Sequence, residues 1–332
     1  MEGLATKYRP KSFEDVMGQE NILKILHNQL VAKDTKQGYV FTGSAGTGKT
    51  TVARIFANAI NDGHPPVEID AASNSGVDHI REIREACKFK PLGAEFKVYL
   101  IDEVHMLSTG AFNALLKTLE EPPAHVVFIL CTTDPQKIPP TILSRVQRFD
   151  FKRLSVEHMV SRLESILIWE GYKEWEPGAL DYIAKLANGG MRDAISLADT
   201  CLAGENRLTL EGVCTTLGQS NYSSYINLGN YLVSGNRAGT LELIEHLHNE
   251  GKDLKQFVRG FLEFIVEVRK IRILGNTDYC SAPSVFYRDM VTMAEEEVVD
   301  LAGWFNSINE LDNRIKYERQ PKVLIEGWLL AL

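Results

Sequence analysis

Long hydrophobic runs are missing from this sequence of 332 residues. Nowhere do eighteen apolar residues follow one another, which argues against a membrane-spanning helix. The opening residues, Met1-Glu2-Gly3-Leu4-Ala5-Thr6-Lys7, hold no apolar stretch of the secretory type, so export is not expected. Cysteine is scarce. Cys87, Cys131, Cys201, Cys214 and Cys280 stand alone, without a C-x-x-C pair. That argues against a disulfide framework and a cysteine zinc site, and it suits a reducing cytoplasm. An excess of positive charge is missing too. Lys plus Arg is 36 and Asp plus Glu is 44, a net charge of −8. Such a balance disfavours a chain that grips nucleic acid alone through bulk charge, though it allows a local or shared basic surface. No internal repeat or low-complexity tract is visible. The remainder, 44% hydrophobic and 24% charged, is ordinary globular composition, long enough for one large domain or two to three small ones.

Apolar strand-like runs alternate with helical patterns in the first half. Strands are expected at 39–42, 67–70, 97–101, 126–130 and 148–151. Helices are expected at 19–33, 49–60, 76–87 and 108–119. The strand runs are β-branched and apolar on both faces, as parallel strands covered by helices should be. The alternation predicts an α/β fold with right-handed crossovers. Beyond Leu154 the strand pattern stops. Helices are expected at 155–169, capped by Ser155, at 177–187 and 191–202, and from a cap at Thr209. After a break at Gly218-Gln219-Ser220-Asn221, they are expected at 226–234, 238–250, 254–274 and 295–317. The expected division is 1–154, 155–218 and 219–332: an α/β domain, a small helical domain and a larger helical domain.

Gly43-Ser44-Ala45-Gly46-Thr47-Gly48-Lys49-Thr50 fits G-x-x-x-x-G-K-[ST], with a strand before it and a helix starting inside it. The glycines let the backbone wrap phosphates with its N–H groups pointing inward, and the helix N-terminus adds a favourable dipole. Thr51 follows in the first helical turn. Lys49 is placed to reach the β- and γ-phosphates, and Thr50 to ligate Mg²⁺. Val98-Tyr99-Leu100-Ile101-Asp102-Glu103 supplies a buried strand ending in two carboxylates, where α/β sheets bind ligands. Asp102 would hold Mg²⁺ through water, and Glu103 would activate the attacking water. Two acids alone would mean little; beside the phosphate loop they point to ATP hydrolysis. A small-molecule kinase could share the loop, but the adjacent Glu favours water as nucleophile.

A family resemblance rests on longer stretches. Lys7-Tyr8-Arg9-Pro10-Lys11-Ser12-Phe13-Glu14-Asp15-Val16-Met17-Gly18-Gln19, the phosphate loop, residues 96–107 and 112–123, Thr132-Thr133-Asp134-Pro135-Gln136-Lys137 and Ile142-Leu143-Ser144-Arg145 resemble the gamma/tau family of bacterial DNA polymerase III clamp-loader ATPases. The likeness is close through about residue 200 and weaker beyond. It implies an AAA+ P-loop ATPase domain with a parallel sheet (α/β), a helical lid domain and an all-α collar domain that assembles a ring-like pentamer. It implies that Thr133, with Thr132 as the competing choice, is the sensor-1 residue that feels the γ-phosphate and the attacking water. It makes Arg145 an arginine finger for a neighbouring subunit's ATP, and Arg192 the sensor-2 arginine on the γ-phosphate. Tyr8, Arg9, Pro10, Val16 and Met17 correspond to the segment that folds over adenine. The implied cofactors are ATP and Mg²⁺. The implied partners are other clamp-loader subunits, a ring-shaped sliding clamp and primer–template DNA, with no membrane. Asn74, Ser75 and Gly76, opening a helix, are DNA-phosphate candidates, with an ordinary capping turn as the equal alternative.

Two departures qualify the resemblance. The family's four-cysteine zinc module is replaced by Asn61-Asp62-Gly63-His64-Pro65-Pro66, so no zinc is expected. The sequence ends at Leu332, so a form without the tau extension is expected, in a bacterial or phage replication system. Alternatives are another AAA+ nucleic-acid motor, for branch migration or replication restart, and a non-hydrolysing scaffold that only donates Arg145. The helical last third disfavours a branch-migration motor, and intact Lys49, Thr50, Asp102 and Glu103 disfavour a scaffold.

Overall fold

Residues 3–91, 93–203, 207–217, 221–296 and 299–331 are described by a computed structural model of the chain. The first part forms α1 (Leu4–Lys7), α2 (Glu20–Ala32), β1 (Gly38–Thr42), α3 (Lys49–Ile60), β2 (Val67–Asp70), α4 (Val77–Ala86), β3 (Lys97–Asp102), α5 (Thr109–Glu120), β4 (Val126–Thr132), α6 (Pro140–Leu143), β5 (Gln147–Asp150) and α7 (Val156–Trp169). There follow α8 (Pro177–Leu186), α9 (Met191–Leu202), α10 (Leu210–Thr216), α11 (Asn221–Val233), α12 (Arg237–Asn249), α13 (Leu254–Leu274), α14 (Tyr287–Glu295), α15 (Leu301–Ile315) and α16 (Pro321–Ala331). The chain gathers into two compact units. One is Met1–Gly171 with Ala187–Asp199; the other is Tyr172–Leu186 with Thr200–Leu332.

The first unit is built on one parallel sheet with strand order β2-β3-β4-β1-β5. Alternate residues of its strands go to opposite faces, as a pleat requires. Tyr39, Phe41, Leu100 and Ile129 pack with Leu26 of α2 and Val52 and Phe56 of α3. Val40, Tyr99, Ile101, Phe128 and Leu130 pack with Ile80 of α4 and Phe112 and Leu115 of α5. Each large apolar side chain buried this way contributes roughly 1.5–3 kcal/mol. β1 and β4 are buried along their whole length, whereas in the edge strands β2 and β5 only Ile69 and Phe149 are buried. The expectation of apolar runs on both faces therefore holds for the centre of the sheet and not for its edges.

The second unit is helical around Phe257, Phe261, Phe264 and Ile265 of α13, with Tyr225, Leu247, Met290, Ile308 and Leu311 packed on them. Its one bridge between extended residues joins Trp175 to Leu208 among the described residues. Ser155 and Thr209 cap helices as their positions predict, accepting bonds from the N–H groups of His158 and Gly212. The expected helix over 295–317 is corrected. α14 ends at Glu295 and α15 starts at Leu301, because the Asp300 carboxylate takes the Gly303 N–H at 2.9 Å and caps a new helix there. Of the expected break, Gly218, Gln219 and Ser220 lie outside the described residues, and Asn221 already begins α11, five residues before the helix expected from 226.

Candidate active site

β1 delivers the chain to Gly43, whose φ of 145° and crowded position exclude other residues: a Cβ there would lie 2.5 Å from the Phe151 carbonyl oxygen. Gly46 is equally confined, since a Cβ would meet the Cα of Gly190 at 2.9 Å. That close approach seats the start of α9 on the phosphate loop, where the Met191 N–H donates to the Gly46 carbonyl at 2.9 Å. Arg192 is thereby brought to the loop. Lys49 opens α3 and is only 5% exposed; its Nζ donates to the Gly43 and Ser44 carbonyls at 2.8 Å each. Burial lowers the Lys49 pKa from the usual lysine range, and Glu103 and Asp102 oppose that shift.

The acids at the end of β3 are tied to this loop. Thr50 Oγ1 donates to Asp102 Oδ2 at 2.9 Å, and Asp102 Oδ1 accepts the Glu103 N–H at 3.0 Å. A hydroxyl and a carboxylate that already meet form a hard-oxygen donor set suited to Mg²⁺. Glu103 sits in left-handed backbone, φ 45°, which is uncommon for a residue with a side chain. Its Oε2 accepts from the Thr133 N–H at 3.1 Å and the Thr133 hydroxyl at 3.0 Å. Of the two threonines considered, Thr133 touches the acid. Thr132 is fully buried and bonded to His105 and to the Asp134 N–H.

A cavity of about 290 Å³ joins these groups to the N-terminal segment. Tyr8, Arg9, Pro10, Val16 and Met17 line it, with Ala45, Gly46, Thr47, Gly48, Lys49, Thr50, Thr51, Asp102, Glu103 and Arg192. The segment is anchored from α7: Tyr8 stacks on Trp169 with centroids 5.4 Å apart, and Arg162 lies over Trp169 and donates to the Tyr8 carbonyl at 2.9 Å. Burial lowers the Arg9 pKa, and the nearby cations Arg54 and Arg192 add to that shift.

Arg145 lies elsewhere. It precedes β5 beside Gly38, at the N-terminal edge of the sheet, with the whole of β1, roughly 13 Å, between it and the phosphate loop. Its Nη1 donates to the Thr141 carbonyl at 2.7 Å and its Nη2 to Glu120 Oε1 at 3.1 Å. Asn74, Ser75 and Gly76 form the turn between β2 and α4. Asn74 donates twice to the Asp70 carbonyl, Ser75 accepts the Ser108 N–H, and Gly76 is the N-cap residue of α4.

Some lining residues escaped sequence reasoning: Asp15, Leu154, Arg162, Met191 and Ile195. Gln19 opens the helix expected at 19–33 and ends the N-terminal stretch that carries the resemblance, with no role of its own. It is buried at φ 108°, and its amide clamps Lys152 through both a donated and an accepted bond, 2.7 and 3.1 Å, while reaching the Thr47 carbonyl at 3.4 Å. Only its place in the N-terminal stretch pointed to it. Among the described residues, no three His, Cys, Asp or Glu side chains gather as metal ligands, and no helix is long and apolar enough to cross a membrane. His64 Nδ1 sits 3.0 Å from the Asn61 carbonyl within its own turn.

A phosphate loop after β1, two acids at the end of β3 and an arginine-bearing helix over the loop define the class of AAA+ P-loop ATPase folds. Thermotoga maritima RuvB, described as a Holliday junction branch migration motor, shares this fold with a TM-score of 0.54 and 21% identity over 69% of this chain and 80% of that one. At that identity the likeness speaks for fold alone. Residues 64–155 match the family described as DNA polymerase III, delta subunit, and residues 158–204 match the DNA polymerase III clamp loader subunit, ATPase lid domain. DNA polymerase III subunit tau of Bacillus subtilis is 45% identical across 98% of this chain and 62% of its own length. The tau subunit of Escherichia coli is 38% identical across 82% and 46%. DNA polymerase III subunit gamma of Buchnera aphidicola subsp. Schizaphis graminum is 33% identical across 98% and 91%. The chain belongs to the gamma/tau family of DNA polymerase III clamp-loader subunits. It spans about half to three fifths of the tau relatives and nearly the whole of this gamma relative.

Proposed function

We propose that this chain hydrolyses ATP as a subunit of a sliding-clamp loader, opening a ring-shaped clamp and placing it on primer–template DNA. One observation carries the reading. The groups for binding and cleaving a triphosphate converge at the C-terminal edge of the sheet, while Arg145 is offered at the opposite edge. Such a chain is complete only when a neighbour faces its site.

In the cavity, the loop N–H groups and Lys49 take the β- and γ-phosphates, and Arg192 meets the γ-phosphate from α9. Thr50 and Asp102 would hold Mg²⁺, which offsets phosphate charge when bound. Glu103 accepts a proton from water as the water oxygen bonds to the γ-phosphorus. The bond to the bridging β–γ oxygen breaks, leaving ADP and phosphate. Thr133, already on Glu103, orients the water. Tyr8, Arg9, Pro10, Val16 and Met17 cover the adenine. Residues 1–154 act as the ATPase domain, 155–218 as the lid and 219–332 as the collar of a pentamer. The turn at Asn74, Ser75 and Gly76 faces DNA phosphates, with Asn74 itself turned back on Asp70. Branch migration, the RuvB activity, is not favoured, because the identity to that protein is 21% against 45% to a tau subunit.

The test is Arg145→Ala. ATP affinity of the isolated chain should change less than about twofold, while clamp- and DNA-stimulated hydrolysis by the assembled loader falls about 10³-fold or more. A plain surface ion pair with Glu120 would cost roughly 0–1 kcal/mol of stability and leave stimulated hydrolysis intact. That second result would overturn the shared-site reading.

A further inference from the structure

Glu103 Oε2 has a third polar neighbour beyond the two groups of Thr133. His105 Nδ1 lies 3.3 Å from it and 3.1 Å from Thr132 Oγ1. With oxygens of Glu103 and Thr132 both close to it, a bare Nδ1 lone pair would be repelled, so the geometry places a hydrogen on Nδ1. Thr132 Oγ1 already accepts the Asp134 N–H at 3.0 Å. His105 is thus pinned between the acid and the end of β4. Its side chain is 11% exposed, and it is not among the residues lining the nucleotide cavity, whereas Glu103 is.

We propose that His105 is a positioning residue for Glu103: through Nδ1–H it holds the carboxylate in the one orientation that meets the attacking water. This rests on Glu103 being the base. The physical reason is the double use of Thr133. A hydroxyl that turns toward the γ-phosphate no longer holds Glu103, and the carboxylate then keeps the Thr133 N–H and His105. Glu103 also stands on strained backbone, φ 45°. A tether two residues further along the same turn fixes both the strained peptide and the acid it carries. A charge-assisted bond of this kind gives the base direction without occupying the space of substrate.

Two measurements on the full chain test the proposal. In steady-state ATP hydrolysis by the assembled, clamp- and DNA-stimulated loader, His105→Ala should lower kcat about 10- to 100-fold with KM for ATP unchanged. His105→Asn, which returns an N–H donor near the Nδ1 position, should recover most of that loss. Unchanged kcat in His105→Ala would overturn the proposal, and so would a raised kcat, which would make His105 a restraint. Glu103→Gln runs alongside. If it keeps full turnover, the base assignment fails; if it is inactive while His105→Ala is normal, only the positioning role fails. Spectra of ¹⁵N-histidine-labelled chain give a readout independent of activity. His105 should be the Nδ1–H tautomer and should lose that preference in Glu103→Ala. A wild-type Nε2–H tautomer, with a bare Nδ1 against the carboxylate, would overturn it.

Discussion

The sheet unit buries an apolar core on each face of its sheet and the helical unit one around α13, but the two treat polar groups differently. The sheet unit buries Gln19, Thr42, Thr47, Lys49, Asn61, Thr118 and Thr132; the helical unit buries Thr240 and Glu267. In the sheet unit several of these sit at or just past strand ends, and their bonds tie separate segments together: Gln19 to Lys152, Thr42 of β1 to Asp150 of β5, Lys49 to the phosphate loop. The same unit holds every described non-glycine residue at positive φ, Gln19 and Glu103 among them. Left-handed residues cost free energy that surrounding packing must offset, and they gather where geometry matters more than stability. The helical unit shows none among its described residues. Strained backbone and buried polar groups mark the chemistry, and their scarcity among the described residues of the helical unit marks a scaffold.

Lys49→Ala should break the contrast most severely. No other side chain can replace its ammonium at the β- and γ-phosphates, so ATP affinity should fall by at least about 100-fold. Far-UV circular dichroism should be unchanged, because what is lost is two bonds to carbonyls that lie near the surface of the loop. Titration with ATP checks this, and an affinity within about threefold of the parent chain would remove the phosphate-loop assignment.

How far the sequence reached also differs between the units. The central strands and the phosphate loop were legible because local pattern and local chemistry agree there: an apolar run, then glycines, then Lys49 and Thr50. Asp102 and Glu103 followed by the same logic. Gln19 was not legible, because its role depends on Lys152, which is 133 residues away. Nor was His105, whose partner Thr132 arrives one strand later. In the helical unit, periodicity found α13 at its observed limits, yet it ran α15 back to residue 295. A helical repeat can persist across a capped break, and only the Asp300 bond shows where the new helix starts. α16 was missed outright. Its Val323-Leu324-Ile325 run and Trp328-Leu329-Leu330 run offer no polar stripe from which to read a face.

Gly260→Ala probes the scaffold side. α11 rests so close to α13 that a Cβ at Gly260 would lie 2.0 Å from the Tyr225 hydroxyl and 2.8 Å from its Cζ. Tyr225 is itself wedged among Phe257, Phe261 and Phe264 and has little room to retreat. The substitution should destabilise the helical unit by about 2–3 kcal/mol through overpacking, despite alanine's better helix propensity. Urea unfolding should show the loss while ATP affinity stays at the parent value. A lowered affinity with unchanged stability would reverse the division of labour drawn between the units.

The smallest expected effect concerns Glu267, the buried acid of that scaffold. It is 8% exposed on α13; Oε1 accepts the Ser281 N–H at 2.9 Å, and Oε2 has no hydrogen-bond partner. Desolvation raises its pKa above the ordinary 4.5, against the pull of the Ser281 and Ala282 N–H groups and of Lys270. Tyr182, Tyr222 and Cys280 surround it, and each is itself held neutral by burial. The folded state therefore keeps a proton that the unfolded state releases. Stability associated with Glu267 is complete below about pH 4.5. It declines as pH rises toward the folded value and levels off above it. Glu267→Gln retains an acceptor for Ser281 and has no proton to lose. At pH 8 it should be more stable than the parent by roughly 1 kcal/mol, and at pH 4.5 nearly equal to it. Urea midpoints for both chains across that interval measure the difference with other titrations cancelled. A gap that stays constant, or that closes as pH rises, would mean that Glu267 is charged in the folded protein and that the helical unit also shelters a working ion.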